Sequence, residues 1–340
     1  MPVNAMQAPE RWPLVIIVVL NWNNALDTLE CLESIQHLVY PNTRVLVVDN
    51  GSSDGSADQI AAAYPALDLL RLEKNLGYAE GNNAGMQRAM EYSPDYVFVL
   101  NNDTLLDRQM LNQLVLTAER NPRAAMVGPT MFCTSPEHTL FAAGSFVDWQ
   151  HGTILHRGMF RPDSEIAGLS GENPVDFIVG CGVLVRSSFI RAHGGLDPIY
   201  YLNYEDVEWG VRALRRGYLV LHEPAAVMWH KVSATLGLAS PANTYYMTRN
   251  ALFFFWQHTT GLTRLGVTAH IFARTVRTIG AWSLHRRYQT PVYRQKRDAN
   301  LFALRDFIFN HTGPMPAEVS RTCYSKVRPI ASDLGTSTGA

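Results

Sequence analysis

Cysteine is scarce in this chain of 340 residues: Cys31, Cys133, Cys181 and Cys323 are scattered, with no C-x-x-C spacing. Their scatter argues against a zinc ribbon or a disulfide scaffold and leaves reduced, mostly structural thiols. Long hydrophobic runs are missing too. The longest apolar stretches, Pro13 to Leu20 and Ala251 to Trp256, fall far short of the roughly 20 residues that span a bilayer, so no transmembrane helix is expected. The N-terminus lacks a basic region, a long apolar stretch and a small-residue cleavage site in order, which places the chain in the cytoplasm. No G-x-G-x-x-G follows the first strand-like run, which leads into Asn21-Trp22-Asn23-Asn24. The dinucleotide fingerprint is therefore excluded.

Net charge is nearly absent, at −1, but the charges are segregated. From Pro241 to Arg297 there are nine basic residues and no Asp or Glu, against 20 basic and 30 acidic residues elsewhere. Such a segment suits an anionic partner, and the cytoplasmic face of a membrane, where each Lys or Arg contributes about 1 kcal/mol, is one. A solvated helical appendage is the equal alternative. No nucleic-acid partner is expected, because no reader motif accompanies the charge; self-association as a homodimer stays open.

What is present, from the start, is alternation. Apolar runs at Leu14 to Leu20, Arg44 to Val48, Leu67 to Leu72, Tyr96 to Leu100 and Ala125 to Val127 alternate with helical patterns at about Leu26 to Leu38, after Ser56, at Gly81 to Met90 and at Asp107 to Arg120. This is βαβ repetition, hence an α/β fold with a mainly parallel sheet flanked by helices. From Met131 to Pro174 the pattern weakens, readable as an antiparallel excursion or an insertion. Val175 to Val185 reads as a strand broken by Gly180-Cys181-Gly182, Glu205 to Arg216 as a helix, and Leu219 to Leu221 and Val227 to Trp229 as two short strands. After Pro241 helix dominates, with Leu265, Ala269, Phe272, Val276 and Ile279 forming one apolar face. The stretch beyond about Gly313 is expected to be disordered.

Four constellations carry chemistry. Asn101-Asn102-Asp103-Thr104 follows a buried strand, where open α/β sheets bind ligands; its oxygens suit a hard divalent cation, or simply a helix-capping turn. Tyr204-Glu205-Asp206-Val207-Glu208 opens a helix, and although acids there stabilise the helix dipole, three exceed what capping needs. His230 ends a strand-like run and could add an imidazole to a metal at Asp103, or be an ordinary hydrogen-bonded histidine. Asn75 to Gly85 packs Gly and Asn into a helix start that could approach an anion.

Taken in order, Val19 to Asn23, Val47 to Ser56, Asn75 to Gly85, Leu100 to Thr104, Gly180 to Gly182, Glu205-Asp206 and His230 resemble glycosyltransferase family 2, over roughly Leu14 to Val232. Within it the chain looks most like bacterial rhamnosyltransferases of surface polysaccharide assembly. The resemblance implies the Rossmann-like GT-A fold. Residues 1–240 would form the catalytic domain, with a donor half at about 14–130 and an acceptor half at about 131–240; 241–312 would be a basic helical extension and 313–340 a tail.

It also implies an inverting, metal-dependent transfer from a nucleoside-diphosphate sugar, dTDP-rhamnose favoured and a UDP-sugar the alternative, to a glycan or lipid-linked acceptor. Asn21 and Asp49 would contact the nucleoside, and Asn50, Gly81, Asn82, Asn101 and Asn102 would complete the donor side. Gly180 and Gly182 would let the sugar approach the backbone. Asp103 and His230 would hold Mg²⁺ or Mn²⁺, Asp206 would be the general base, and Glu205 would flank it in the acceptor pocket. Asn101 stands where the family's D-x-D loop has its first Asp. The alternative is therefore a sugar-nucleotide-binding or scaffold protein that has lost catalysis. The basic segment 241–297 would put the protein on the inner face of the plasma membrane as a peripheral protein.

Overall fold

A computed structural model describes residues 11–231 and 240–324. The first half is the expected alternation. Strands β1 (Val15–Asn21), β2 (Thr43–Asp49), β3 (Asp68–Arg71) and β4 (Tyr96–Asn101) are parallel, in the order β4-β1-β2-β3. Helices α1 (Ala25–Gln36), α2 (Ser56–Ala63) and α3 (Gly77–Met90) make the crossovers. β1 is a run of β-branched residues, Val15 to Val19, with no exposed surface; such side chains suit a strand covered on both faces, and burying each is worth roughly 1.5–3 kcal/mol. Gly81 and Gly85 let α3 lie tight on this sheet, because a Cβ at Gly85 would stand 2.4 Å from Val18 Cγ1 and one at Gly81 would stand 2.9 Å from Leu20 Cδ1.

Beyond β4 the sheet continues with mixed direction. After the short β5 (Thr104–Leu106) and helix α4 (Met110–Arg120), β6 (Ala124–Cys133) runs well past the three residues expected, because residues up to Cys133 pair with β12 (Leu219–His230). Between them lie β7 (Leu140–Ala142), the hairpin β8 (Ser145–Asp148) and β9 (Thr153–His156), β10 (Asn173–Pro174) and β11 (Gly182–Arg186). The weakly patterned stretch is thus largely an antiparallel excursion: β7 folds back on β6, and β8 pairs with β9. β11 is antiparallel to both β4 and β6 and joins the two halves into one ten-stranded sheet among the described residues.

Three strand expectations are corrected. Only Gly182–Arg186 of the segment 175–185 is strand; before it the N–H groups of Asp176 and Phe177 both bond Ser145 O, and Gly182 N closes a turn on Val179 O. The two short strands at 219–221 and 227–229 are one, β12, whose pairing with β6 slips between Glu223 and Val227 around Pro224. A proline lacks the ladder donor and is tolerated at such a bulge.

After α5 (Ser187–His193) and α6 (Glu205–Arg215), the chain ends in α7 (Pro241–His258), α8 (Gly261–Leu284), α9 (Pro291–Ile308) and α10 (Ala317–Tyr324). Leu252 to Phe255 of α7 share a core with Val207 and Val211 of α6 and with Tyr200 and Tyr204. The apolar face of α8 differs from the expected one: Val267, Ile271 and Thr275 are buried, whereas Leu265 and Val276 are about half exposed. The hairpin β8–β9 decides this, since Ile271 and Val267 pack over Gly152. The expected disorder after 313 is also corrected: α10 is anchored by buried Val319 and Cys323. Residues 325–340 lie outside the described part. Among the described residues no helix is long and apolar enough to cross a membrane. All four cysteines are free and buried, and burial pushes the Cys31 thiol up to about 12.

Candidate active site

The parallel strands end level, with Asn21 opposite Asp49 and Leu20 opposite Asn101, and the loops beyond them form one rim of a cavity of about 500 Å³. Behind the rim lies a closed polar network. Asn21 is fully buried; its amide donates to Asp49 Oδ1 at 2.7 Å and Ser56 Oγ at 3.1 Å, and its oxygen accepts from Thr28 Oγ1 at 2.8 Å. The second oxygen of Asp49 accepts from Ser52 N at 3.1 Å. Ser52 Oγ in turn accepts from Asn23 N, and Asn23 Oδ1 from Ser53 N. Asn21 and Asp49, expected at the nucleoside, do not line the cavity but brace the two loops that do. Their neighbours Trp22 and Asn50 reach it instead.

Asn102 belongs to both sets: it lines the cavity, while its amide donates to Thr28 Oγ1 at 2.9 Å and Asn24 O at 3.3 Å. Asn101 and Asp103 line it too. Antiparallel pairing of β5 with β12 sets Thr104 opposite His230, which brings His230 Nε2 to 3.3 Å from Asp103 Oδ1. Burial acts to raise the Asp103 pKa, but His230, a backbone N–H and Lys231 outweigh it and hold the carboxyl below its ordinary value. Asp103 Oδ1 and His230 Nδ1 are buried with no hydrogen-bond partner. Buried polar atoms left in this state call for an explanation. Among the described residues no three His, Cys, Asp or Glu cluster as metal ligands. One carboxylate and one imidazole are the share a protein contributes where phosphates and water complete the shell, so the residues present fit a divalent cation.

The facing wall holds the acids of α6. Asp206 lines the cavity, its Oδ2 accepting from Gly180 N at 2.9 Å and its Oδ1 from Val207 N at 2.8 Å. Glu205 beside it is buried, with Oε2 unpaired. Burial raises both carboxyls. Glu205 is lifted well above the ordinary range, with the Asp206 charge as second cause, whereas N–H groups of Gly180 and Val207 restrain Asp206. Environments that push two carboxyls apart suit them to different proton roles: Glu205 is the one pushed further toward keeping its proton, and Asp206 the one whose charge the backbone N–H groups favour. The third acid, Glu208, serves structure, pairing with Arg212 at 2.8 Å, while Arg212 also ties down Gly195 O at 2.6 Å.

The glycine-rich segments are partly redefined. Gly180 lines the cavity, but Gly182 does not; a Cβ there would stand 2.4 Å from Met228 Sδ, so the glycine makes room for that side chain. Gly81 is a packing glycine, and Asn82 is fully buried with its amide on Tyr78 O at 2.9 Å. The N-terminus of α3 is not open to an anion, because Tyr201 O accepts from Tyr78 N at 2.8 Å and Ala79 N at 3.2 Å. Tyr78 itself was not singled out, although it sits inside the quoted Asn75 to Gly85 segment. It lines the cavity and donates to Gly180 O at 2.6 Å. On the far wall stand Tyr201, of the aromatic pair that precedes the acids in sequence, and Asn203, Asn243, Tyr246, Met315 and Tyr324, which the sequence reading does not single out; the pair Tyr245-Tyr246 is the available signal.

A mainly parallel sheet whose strand ends carry a carboxylate loop, faced across one cavity by an acid pair on a later helix, defines a glycosyltransferase of the GT-A type. The chain belongs to glycosyl transferase family 2, whose family model matches residues 15–192; it is an enzyme of that class and is similar to rhamnosyltransferases. An N-acetylglucosaminyl-diphospho-decaprenol L-rhamnosyltransferase of Mycobacterium tuberculosis is 29% identical in an alignment that covers 56% of this chain and 67% of that one. The dTDP-rhamnosyl transferase RfbF of Shigella flexneri is 24% identical, over 70% of this chain and 78% of its own. Among solved structures, a mannosyltransferase of Pyrobaculum calidifontis in complex with GDP-Man and Mn²⁺ shares the fold at a TM-score of 0.54, with 15% identity over 92% of this chain and 91% of that one.

Proposed function

We propose that this enzyme transfers a sugar, with inversion, from a nucleoside-diphosphate donor to a glycan or lipid-linked acceptor in cell-surface polysaccharide synthesis. One observation carries the reading: Asp206, oriented by two backbone N–H groups, shares a cavity with Asp103 and His230. An acceptor hydroxyl approaching Asp206 loses its proton to that carboxylate as its oxygen bonds the anomeric carbon. The bond from that carbon to the diphosphate oxygen breaks with the electron pair on the diphosphate. Asp103 and His230 would hold the cation; when bound, it supplies positive charge against the departing diphosphate. Burial and the Asp206 charge both push the Glu205 carboxyl up, which favours Asp206 as the charged member of the pair. Trp22 and Asn50 would border the nucleoside in place of Asn21 and Asp49, which act through the loops. dTDP-rhamnose is the favoured donor because RfbF is named a dTDP-rhamnosyl transferase and the mycobacterial relative an L-rhamnosyltransferase.

The test is calorimetry of the purified protein against dTDP-rhamnose, UDP-N-acetylglucosamine and GDP-mannose, with Mn²⁺ and with EDTA. It is followed by release of nucleoside diphosphate with an N-acetylglucosaminyl-diphospho-polyprenol analogue as acceptor. Metal-enhanced binding of one donor and its turnover are expected. Binding without turnover across an acceptor panel would instead favour a protein that has lost catalysis.

A membrane-facing surface is a second reading, favoured by the exposed side chains of α8. Leu262, Leu265, Val276 and Leu284 lie exposed on the same helix as Arg277, just before exposed Arg286 and Arg287, and such basic, apolar helices bind anionic interfaces. Arg249 takes no part, being fully buried. Sedimentation with phosphatidylglycerol vesicles, lost in Leu262→Ser/Leu265→Ser, is expected; concentration-dependent dimerisation without vesicle binding would assign the face to a second copy.

A further inference from the structure

We propose that Asn250 and Arg249 of α7 are positioning residues for the reaction, holding the turn that presents Asp206. The inference rests on Asp206 as the base and extends the active site into the C-terminal helices. The turn is strained: Tyr201, Asn203 and Tyr204 have φ of 63°, 65° and 75°. Non-glycine residues persist in that region only where their surroundings over-determine them, and such residues cluster at active sites. Here one side chain touches more of the turn's carbonyls than any other group. The Asn250 amide nitrogen meets Tyr200 O at 2.8 Å, Leu202 O at 2.9 Å and Asn203 O at 2.8 Å.

Asn250 is itself held. Its oxygen accepts from Arg249 Nε at 3.0 Å, and Arg249 adds a bond to Tyr200 O at 3.3 Å. Both side chains are fully buried, and the guanidinium lies 5.1 Å from the ring centres of Tyr245 and Tyr246. Among the carbonyls of this turn, those of Tyr200, Leu202 and Asn203 therefore converge on a single rigid donor. Replacing that donor leaves buried carbonyls short of a partner, which a turn corrects by relaxing its φ angles.

Two routes lead from the turn to Asp206. Along the chain, Tyr204 is the N-cap of α6, and Asp206 lies in the first turn of that helix. Through space, Tyr201 O fixes the start of α3, Tyr78 of α3 holds Gly180 O, and Gly180 N holds Asp206 Oδ2. A change at Asn250 reaches the carboxylate from both sides.

The first test needs no substrate: hydrogen exchange of the Gly180 and Val207 amides in Asn250→Ala against wild type. Both amides are expected to exchange about tenfold faster or more, while the β1 and β4 amides keep their protection. The second uses dTDP-rhamnose, Mn²⁺ and the polyprenyl acceptor analogue, where kcat is expected to fall about 100-fold with donor Kd and binding stoichiometry unchanged. If Asn250→Ala does not fold, Asn250→Ser, which keeps one donor, is read in the same way. Unchanged exchange at Gly180 and Val207, or loss of folding in both variants, overturns the proposal. Asp206→Asn keeping full turnover would overturn the base assignment instead.

Discussion

Asp49 and Asp103 stand on either side of β1, each where a buried parallel strand gives way to a polar loop, and both are nearly inaccessible. In sequence they look alike. Asp49 has both oxygens bonded inside the protein, to Asn21 and to Ser52, whereas Asp103 keeps one oxygen without a donor, facing a histidine across 3.3 Å. The same contrast separates Glu208, bound to Arg212, from Glu205, whose Oε2 has no partner. Asp49 and Glu208 thus have their lone pairs satisfied inside the protein, whereas Asp103 and Glu205 each leave a buried oxygen without a partner; Asp206, both of whose oxygens accept from backbone N–H groups, is held in place while lining the cavity.

Several substitutions would break or sharpen this contrast. The largest effect is expected at Asp206, where Asn should lower turnover roughly 10²–10⁴-fold with little change in donor affinity, read by steady-state kinetics. Asp103→Ala should remove the metal enhancement of donor binding seen by calorimetry while leaving Tm close to wild type. Asp49→Ala should do the reverse: denaturant unfolding should show a loss of about 1–3 kcal/mol, because Asn21 and Ser52 lose a buried acceptor. A stable Asp49→Ala protein that fails to bind donor would break the comparison.

The smallest effect is in pH. Glu205 has a folded pKa raised by burial above its ordinary 4.5, so the stability it contributes is complete below that value and is lost as pH rises through the folded one. Glu205→Gln should therefore raise Tm relative to wild type at pH 8 and converge with it near pH 4. Equal Tm differences at both pH values would mean that burial at Glu205 does not hold its proton.

The first half of this fold is legible because it is written in strand cores. Val15 to Val19 and Tyr96 to Leu100 bury nearly all their surface, so each run announces itself by composition. The loop acids after them were legible as candidates, but not their partners, since whether Asn21 reaches a ligand or Asp49 depends on side-chain geometry that no spacing encodes. β12 reads as two strands in sequence because Pro224 interrupts the pattern where the pairing with β6 slips. The buried face of α8 is not legible from sequence because Leu265 and Val267 both belong to plausible helical stripes, and only the hairpin at Gly152 chooses between them. Least legible was the turn at 201–204, whose left-handed angles fall on Tyr and Asn rather than on glycine.

The β5–β12 pairing has a consequence for synthesis on the ribosome. Asp103 emerges with the early parallel strands, which can begin to pair as soon as they are made. His230 is translated far later, at the very end of β12, and it reaches Asp103 only when that strand has zipped between β6 and β5. The non-local contacts are the late ones. A nascent chain therefore carries Asp103 without its imidazole partner from residue 103 until residue 230 is made, and one that stalls before residue 230 cannot bring the two together.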